Sequence, residues 1–182
     1  MVFFVRCAEV VPSPCCGEKL KVIGSRKRKL VCENGESHVL VIRRLRCVCC
    51  RTIHHELPDC IVPYKRYGSS CVEQGVSEQA ATLAVAADDA TLRRWKGWFH
   101  KQSTYWLGVL QSIAIRFHRN PVKIWSRPSQ SAHHPFGPYV GDAAGWLARI
   151  VRSVVNANLW VHTRSAFLSD APCGRLKHES IK

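Results

Sequence analysis

Apolar residues in the first third of the chain come in short runs broken by polar and turn-forming residues. Val2 to Val5 is one run and Leu20 to Ile23 another, while Leu30 to Cys32 leads through Glu33-Asn34-Gly35-Glu36 to Val39 to Ile42. Asn-Gly between apolar runs marks a hairpin, because both residues tolerate the positive φ of a type I′ turn. Strands near 27–32 and 37–46 are expected to pair across it. Beyond Pro63 the period lengthens. Ser69 to Ala87 lacks Pro and is rich in Ala, and Asp88-Asp89 is placed to cap a helix starting near Thr91. Leu92, Trp95 and Phe99 follow helical spacing, as do Leu107, Leu110, Ala114 and Phe117 in a following segment, so two or three packed helices are expected. Helical spacing returns in Trp146, Leu147, Ile150, Val151, Val154 and Val155, with Arg149 and Arg152 on another face.

Between these helical stretches, residues 119–141 carry Pro121, Pro128, Pro135 and Pro138 among Ser, Gln and His, with neither period. That composition reads as a linker or extended loop. The expected organisation is therefore α+β: a small zinc-ribbon-like β module over 1–68, a helical region over 69–118 that could form a helix-turn-helix, a Pro-rich linker over 119–141, and a C-terminal helix and tail over 142–182.

Composition adds charge and sulfur to this pattern. The 182 residues are 46% hydrophobic, as in a folded protein, and 27 Lys and Arg against 13 Asp and Glu give a net charge of +14. A field of that sign favours polyanions. Cysteines cluster: only Cys173 lies outside the Cys7 to Cys71 segment. The opening Met-Val-Phe-Phe-Val is too short for a signal-peptide core, and no apolar run approaches the ~18 residues needed to span a bilayer. A reducing cytoplasm and no membrane partner are expected, and there clustered cysteines bind metal more often than they form disulfides.

Cys47-Val48-Cys49-Cys50 contains C-x-x-C, the spacing that lets two thiolates of one turn reach a tetrahedral Zn²⁺ at about 2.3 Å. Ser13-Pro14-Cys15-Cys16-Gly17 has the shape of a second knuckle, except that Ser13 stands where its first cysteine would be. The expected ligands are Cys15, Cys16, Cys47 and Cys50, with His54 as the alternative fourth ligand and His55 or Cys7 as further ones. A segment this short can bury little apolar area, so a metal would serve as its staple.

Arg26-Lys27-Arg28-Lys29 precedes the turn, and Arg43, Arg44 and Arg46 lie on the returning strand. Pairing gathers them into a ribbon suited to phosphates. On the helix after Asp89, Arg93, Arg94 and Lys96 project away from the Leu92, Trp95, Phe99 stripe, as on a recognition helix, although a plain helical hairpin gives the same pattern. Trp95 and Trp98 are the candidates for base stacking. An enzyme reading would draw on His54, His55, Glu56 and Asp59, but acidic residues are sparse past residue 72 and no complete catalytic constellation is expected.

Leu20-Lys21-Val22-Ile23-Gly24-Ser25-Arg26, Ile42-Arg43-Arg44-Leu45-Arg46-Cys47, Ile53-His54-His55-Glu56-Leu57-Pro58-Asp59 and Val62-Pro63-Tyr64-Lys65-Arg66-Tyr67 resemble a bacterial family of uncharacterised proteins. The resemblance runs on through Thr91 to Trp95, Gly145 to Arg149 and Asn158 to Arg164. Its members look like the N-terminal zinc-ribbon and helix-turn-helix portion of some transposases, associated with mobile elements. The resemblance implies binding to double-stranded DNA as a transposon-associated accessory or regulatory protein, with a transposase or other protein partner; an adaptor that docks a transposase or polymerase is the alternative.

Overall fold

The computed structural model describes residues 1–7, 10–77, 85–118, 134–160 and 166–169. The chain is α+β, a mixed sheet with helices, in the order β1 (Val2–Phe4), β2 (Leu20–Val31), β3 (Ser37–Cys47), β4 (Ile53–Pro58), α1 (Ser69–Ser77), α2 (Asp89–Arg116), a 3₁₀ turn (His134–Phe136), α3 (Gly137–Val140), α4 (Trp146–Asn156) and β5 (Ala166–Ser169).

Strands β2 and β3 form the hairpin expected from the Asn-Gly signal, antiparallel from Val31↔Ser37 at the turn to Leu20↔Cys47 at the open end. The turn differs in type. Cys32 and Glu36 close it, with Cys32 N donating to Glu36 O at 2.9 Å and Gly35 N donating to Cys32 O at 3.0 Å. Gly35 alone among the turn residues takes positive φ, +81°. A three-residue loop with glycine in the left-handed position thus replaces the two-residue type I′ turn, and Asn34 Oδ1 accepts from Glu36 N at 3.0 Å. Near the open end, Ile23 is the extra residue of a bulge, with Gly24 at φ +147°.

The other edge of β3 is shared. β1 pairs parallel with Val39 to Val41, and β4 antiparallel with Arg44 to Arg46. β4 in turn pairs parallel with β5, a strand from the far end of the chain that the sequence pattern did not reveal.

Asp88 caps α2 as expected, its carboxylate accepting from Thr91 N at 2.6 Å. The two helical segments expected here are one helix. It runs 28 residues, about 42 Å at 1.5 Å per residue, and its buried stripe continues from Leu92, Trp95 and Phe99 to Trp106, Val109, Leu110 and Ala114. Leu107 is only partly buried and Phe117 is exposed, so the register expected for the second segment is displaced. α1 ends at Ser77, and the rest of the helix expected up to Ala87 lies partly outside the described residues; Val85 is buried, and Ala86 N donates to Glu33 O at the hairpin turn. The first helix of the expected helix-turn-helix falls largely on residues 78–84, outside the described residues, and the segment expected as its second helix is the start of α2.

α4 buries Trp146, Leu147, Ile150, Val151, Val154 and Val155, the stripe read from the sequence. Its first turn has no side-chain cap of its own; buried Glu73 on α1 supplies one, accepting from Gly145 N at 2.7 Å and Leu147 N at 2.8 Å. Of the stretch expected as a linker, 119–133 lies outside the described residues, whereas 134–140 folds and Phe136 is fully buried against Phe99. One core runs from Val5, Leu40 and Ile42 on the sheet through Ile61, Val62 and Val72 to the α4 stripe, crossing the expected boundary at residue 68.

Candidate metal centre and basic groove

Two turns meet at the open end of the hairpin. In the first, Gly17 N donates to Ser13 O and Ser13 N to Glu18 O, both at 2.8 Å; in the second, Cys47 N donates to Thr52 O at 2.9 Å. Val48 N donates to Lys19 O at 3.1 Å and ties the two together. Gly17 at φ +76° and Arg51 at φ +63° hold equivalent left-handed positions, each immediately after a Cys-Cys pair.

The sulfurs of Cys15, Cys16, Cys47 and Cys50 all lie within 4.8 Å of one another, a set that can hold a metal ion. Separations are 3.7 Å for Cys15 to Cys16, 2.9 Å for Cys15 to Cys50 and 3.3 Å for Cys16 to Cys47. A tetrahedral ion with sulfur ligands at 2.3 Å has edges of about 3.8 Å, so the set needs only small adjustment. Burial, then hydrogen bonding to Cys50, pushes the Cys15 thiol up to about 12. The Cys47 thiol, although burial opposes ionisation, is held at about 6 by the Cys50 amide, the Cys16 thiol and the Ser13 hydroxyl. Cys50 lies below its ordinary value through its hydrogen bonds with Cys15 and Thr52. Such a mixture of ready and reluctant thiolates is what a cation resolves, by displacing the remaining protons.

Ser13, in the place of a ligand, is buried and hydrogen-bonds Cys15 Sγ at 2.8 Å and His54 Nε2 at 3.2 Å. Cys15 thus takes the fourth corner, and fully buried His54, 3.4 Å from Cys15 Sγ, stands behind it. Cys7 lies away from the four; its backbone amide donates to Glu56 at 2.6 Å.

Successive side chains of β4 point to opposite faces, which scatters the residues that sequence places side by side. His54 faces the cysteines, His55 lines a separate groove, and Glu56 is fully buried against Arg43. The Arg43 guanidinium grips that carboxylate through both Nε and Nη2, the latter at 2.8 Å, and the bond holds the guanidinium above its ordinary pKa. Asp59 pairs with Arg152 at 3.1 Å.

These pairings also revise the expected phosphate-binding set. Arg43 is committed to Glu56, and Arg28 donates to the carbonyls of Val62 at 3.1 Å and Lys65 at 2.9 Å. Arg26, Lys27, Lys29 and Arg46 are exposed and Arg44 is half-buried. On α2, Arg93, Arg94 and Lys96 are exposed, opposite the buried stripe as expected.

A groove of about 580 Å³ runs beside the hairpin, lined by Arg26, Lys27, Arg28 and Lys29 of β2 together with His55, Tyr64, Lys65 and Arg66. Sequence reading did not single out the last three as binding residues, although two cations between two tyrosines in Tyr64-Lys65-Arg66-Tyr67 carry a legible signal. Of the two tryptophans expected to stack, Trp95 is buried against Tyr67 with ring centroids 4.9 Å apart. Trp98 is half-buried and open to a neighbouring recess.

Among the described residues, no helix is long and apolar enough to cross a membrane. No curated protein and no solved structure matches the chain. Residues 13–95, less than half of its length, match a family model described as a domain of unknown function (DUF6431); the match spans both cysteine turns, the basic hairpin and the start of α2.

Proposed function

We propose that the protein binds double-stranded DNA through its basic hairpin and groove, with a structural Zn²⁺ on Cys15, Cys16, Cys47 and Cys50 clamping the hairpin's open end. The observation that carries this reading is the surplus of cations on one short ribbon: Arg26, Lys27, Lys29 and Arg46 remain exposed after Arg28 and Arg43 are committed to structural partners, and Lys65 and Arg66 join the first three at the groove. Four thiols favour zinc over harder cations, and no oxygen donor belongs to the set. Arg93, Arg94 and Lys96 on α2 supply a second basic face. The resemblance noted from sequence supports a role beside a transposase, as an accessory or regulator.

Fluorescence anisotropy with duplex DNA over a salt series tests the reading. Affinity is expected to fall linearly with log salt, with a slope set by the number of phosphates neutralised. Absence of binding at low salt, or binding without a salt slope, rejects it. Elemental analysis is expected to find about one zinc per chain, lost when Cys47 and Cys50 are both replaced by Ser; a metal-free wild-type protein with the same fold rejects the zinc.

A protein-docking adaptor is the second reading. It is favoured by an apolar groove of about 650 Å³ between Val11 to Pro14 and the end of α2, beside exposed Phe117 and Leu159.

A further inference from the structure

The cationic groove does not end at the hairpin. Pro63, Tyr64 and Lys65 form a wall shared with a second recess of about 390 Å³, whose other lining residues are Trp98, Gln102, Trp106 and Trp160. That volume lies within the range of small-molecule sites. Trp106 and Trp160 stack with centroids 5.4 Å apart and planes at 23°, and Trp98 meets Trp106 edge-on at 5.2 Å. The Lys65 ammonium stands 4.3 Å from the centre of the Trp98 ring, at the junction of the two cavities. Tyr64 is 67% exposed and sits at φ +63°, a strained conformation for an aromatic residue. The fold thus holds a ring out at the rim, where glycine would satisfy the backbone better.

We infer that the recess, in which half-buried Trp98 and Trp160 are the accessible rings and Trp106 is only 1% exposed, takes the base of an unpaired nucleotide whose phosphates lie in the adjoining cationic groove. The inference rests on the nucleic-acid reading and deepens it. An aromatic recess alone could take many apolar groups, but its junction with a groove carrying Arg26, Lys27, Lys29, Lys65 and Arg66 asks for a ligand with a flat π face at one end and anionic charge at the other. A nucleotide has both. Bases stacked inside a duplex cannot enter such a recess, so the nucleotide must be single-stranded or turned out of the helix. Gln102, half-buried in the lining, brings one amide donor pair and one acceptor to the edge of the base.

The test compares anisotropy binding of a fluorescein-labelled duplex, the same duplex with one unpaired adenine, and the corresponding single strand. The unpaired forms are expected to bind about tenfold more tightly, in line with stacking of one base, and 2-aminopurine at the unpaired position is expected to lose fluorescence on binding. Trp98→Leu and Gln102→Ala should each reduce that preference while leaving duplex affinity and its salt slope intact, since neither residue lines the cationic groove; the second variant, at a half-buried polar position, guards against misfolding of the first. Equal affinity for paired and unpaired forms, or a preference that survives both variants, overturns the inference and leaves duplex binding standing. Failure of the wild-type protein to bind any of the three overturns both.

Discussion

Gly75 shows how a single residue can oppose its own helix. A glycine inside α1 costs helix stability, about 1 kcal/mol against alanine, yet a Cβ there would stand 2.7 Å from the Trp95 ring and 3.1 Å from Leu92. Both lie in the buried stripe of α2, where neither has room to retreat. Overpacking of a core costs about 1–3 kcal/mol, which exceeds the propensity gain. Gly75→Ala is therefore expected to lower the midpoint of urea unfolding, and a raised midpoint would show that α1 and α2 are less tightly apposed. Arg51 is the converse case. Exposed and at φ +63°, it stands in the position that Gly17 fills in the other turn, so Arg51→Gly should stabilise by roughly 1 kcal/mol, read from chemical unfolding with zinc held constant. At Glu56 the cost lies in charge. Glu56→Gln leaves the Arg43 guanidinium without its counter-charge in a largely closed site and is expected to destabilise by about 3 kcal/mol; a change within 0.5 kcal/mol would mean that solvent replaces the carboxylate.

Among the elements, α2 and the hairpin respond differently to their surroundings. Asp88, exposed at the start of α2, has its pKa lowered by hydrogen bonds from Thr91, backbone first. A carboxyl whose pKa is lower in the folded chain adds stability above its unfolded value and loses it as pH falls through the folded one. The destabilisation caused by Asp88→Ala should accordingly be seen in full at neutral pH and shrink in acid, measured as the difference in thermal midpoint between the two proteins; a difference independent of pH would place the cap's contribution elsewhere. The hairpin was largely legible from its residues, because the Asn34-Gly35 signal and the flanking apolar runs are local. The length of α2 was not. Leu92, Trp95 and Phe99 set a stripe that continues through Trp106, but Leu107 and Phe117 offered a competing apolar register that only packing against Trp146, Phe136 and Trp160 excludes.

At the scale of the whole molecule, β5 joins the end of the chain to its beginning. It covers the outer edge of β4 from His55 to Pro58, and α4 packs against α1 through the Glu73 cap. Removing residues 161–182 should therefore destabilise the N-terminal sheet as well as the C-terminal region, and should expose β4 as an open edge prone to pairing with other chains. A lower melting temperature together with light scattering at high concentration is the expected result. Unchanged melting of the truncated chain would show that the sheet is complete without β5.

The sequence by itself determined the features whose signals are local: the α+β order, the hairpin, the Asp88 cap, the buried face of α4, and the cysteines that come together. Spacing within a turn and the period within an element suffice for these, since each depends on neighbours a few residues away. Tertiary structure alone decided that His54 stands behind Cys15 rather than in the set, that Arg28 and Arg43 are spent on Val62, Lys65 and Glu56, and that Tyr64 and Lys65 join a basic groove to an aromatic recess. Each of those outcomes depends on strand register or on contacts between distant segments. A cation on a strand reads the same in sequence whether it meets a buried carboxylate or water; the register of β3 against β4, and the face on which β4 turns Glu56, decide which it meets.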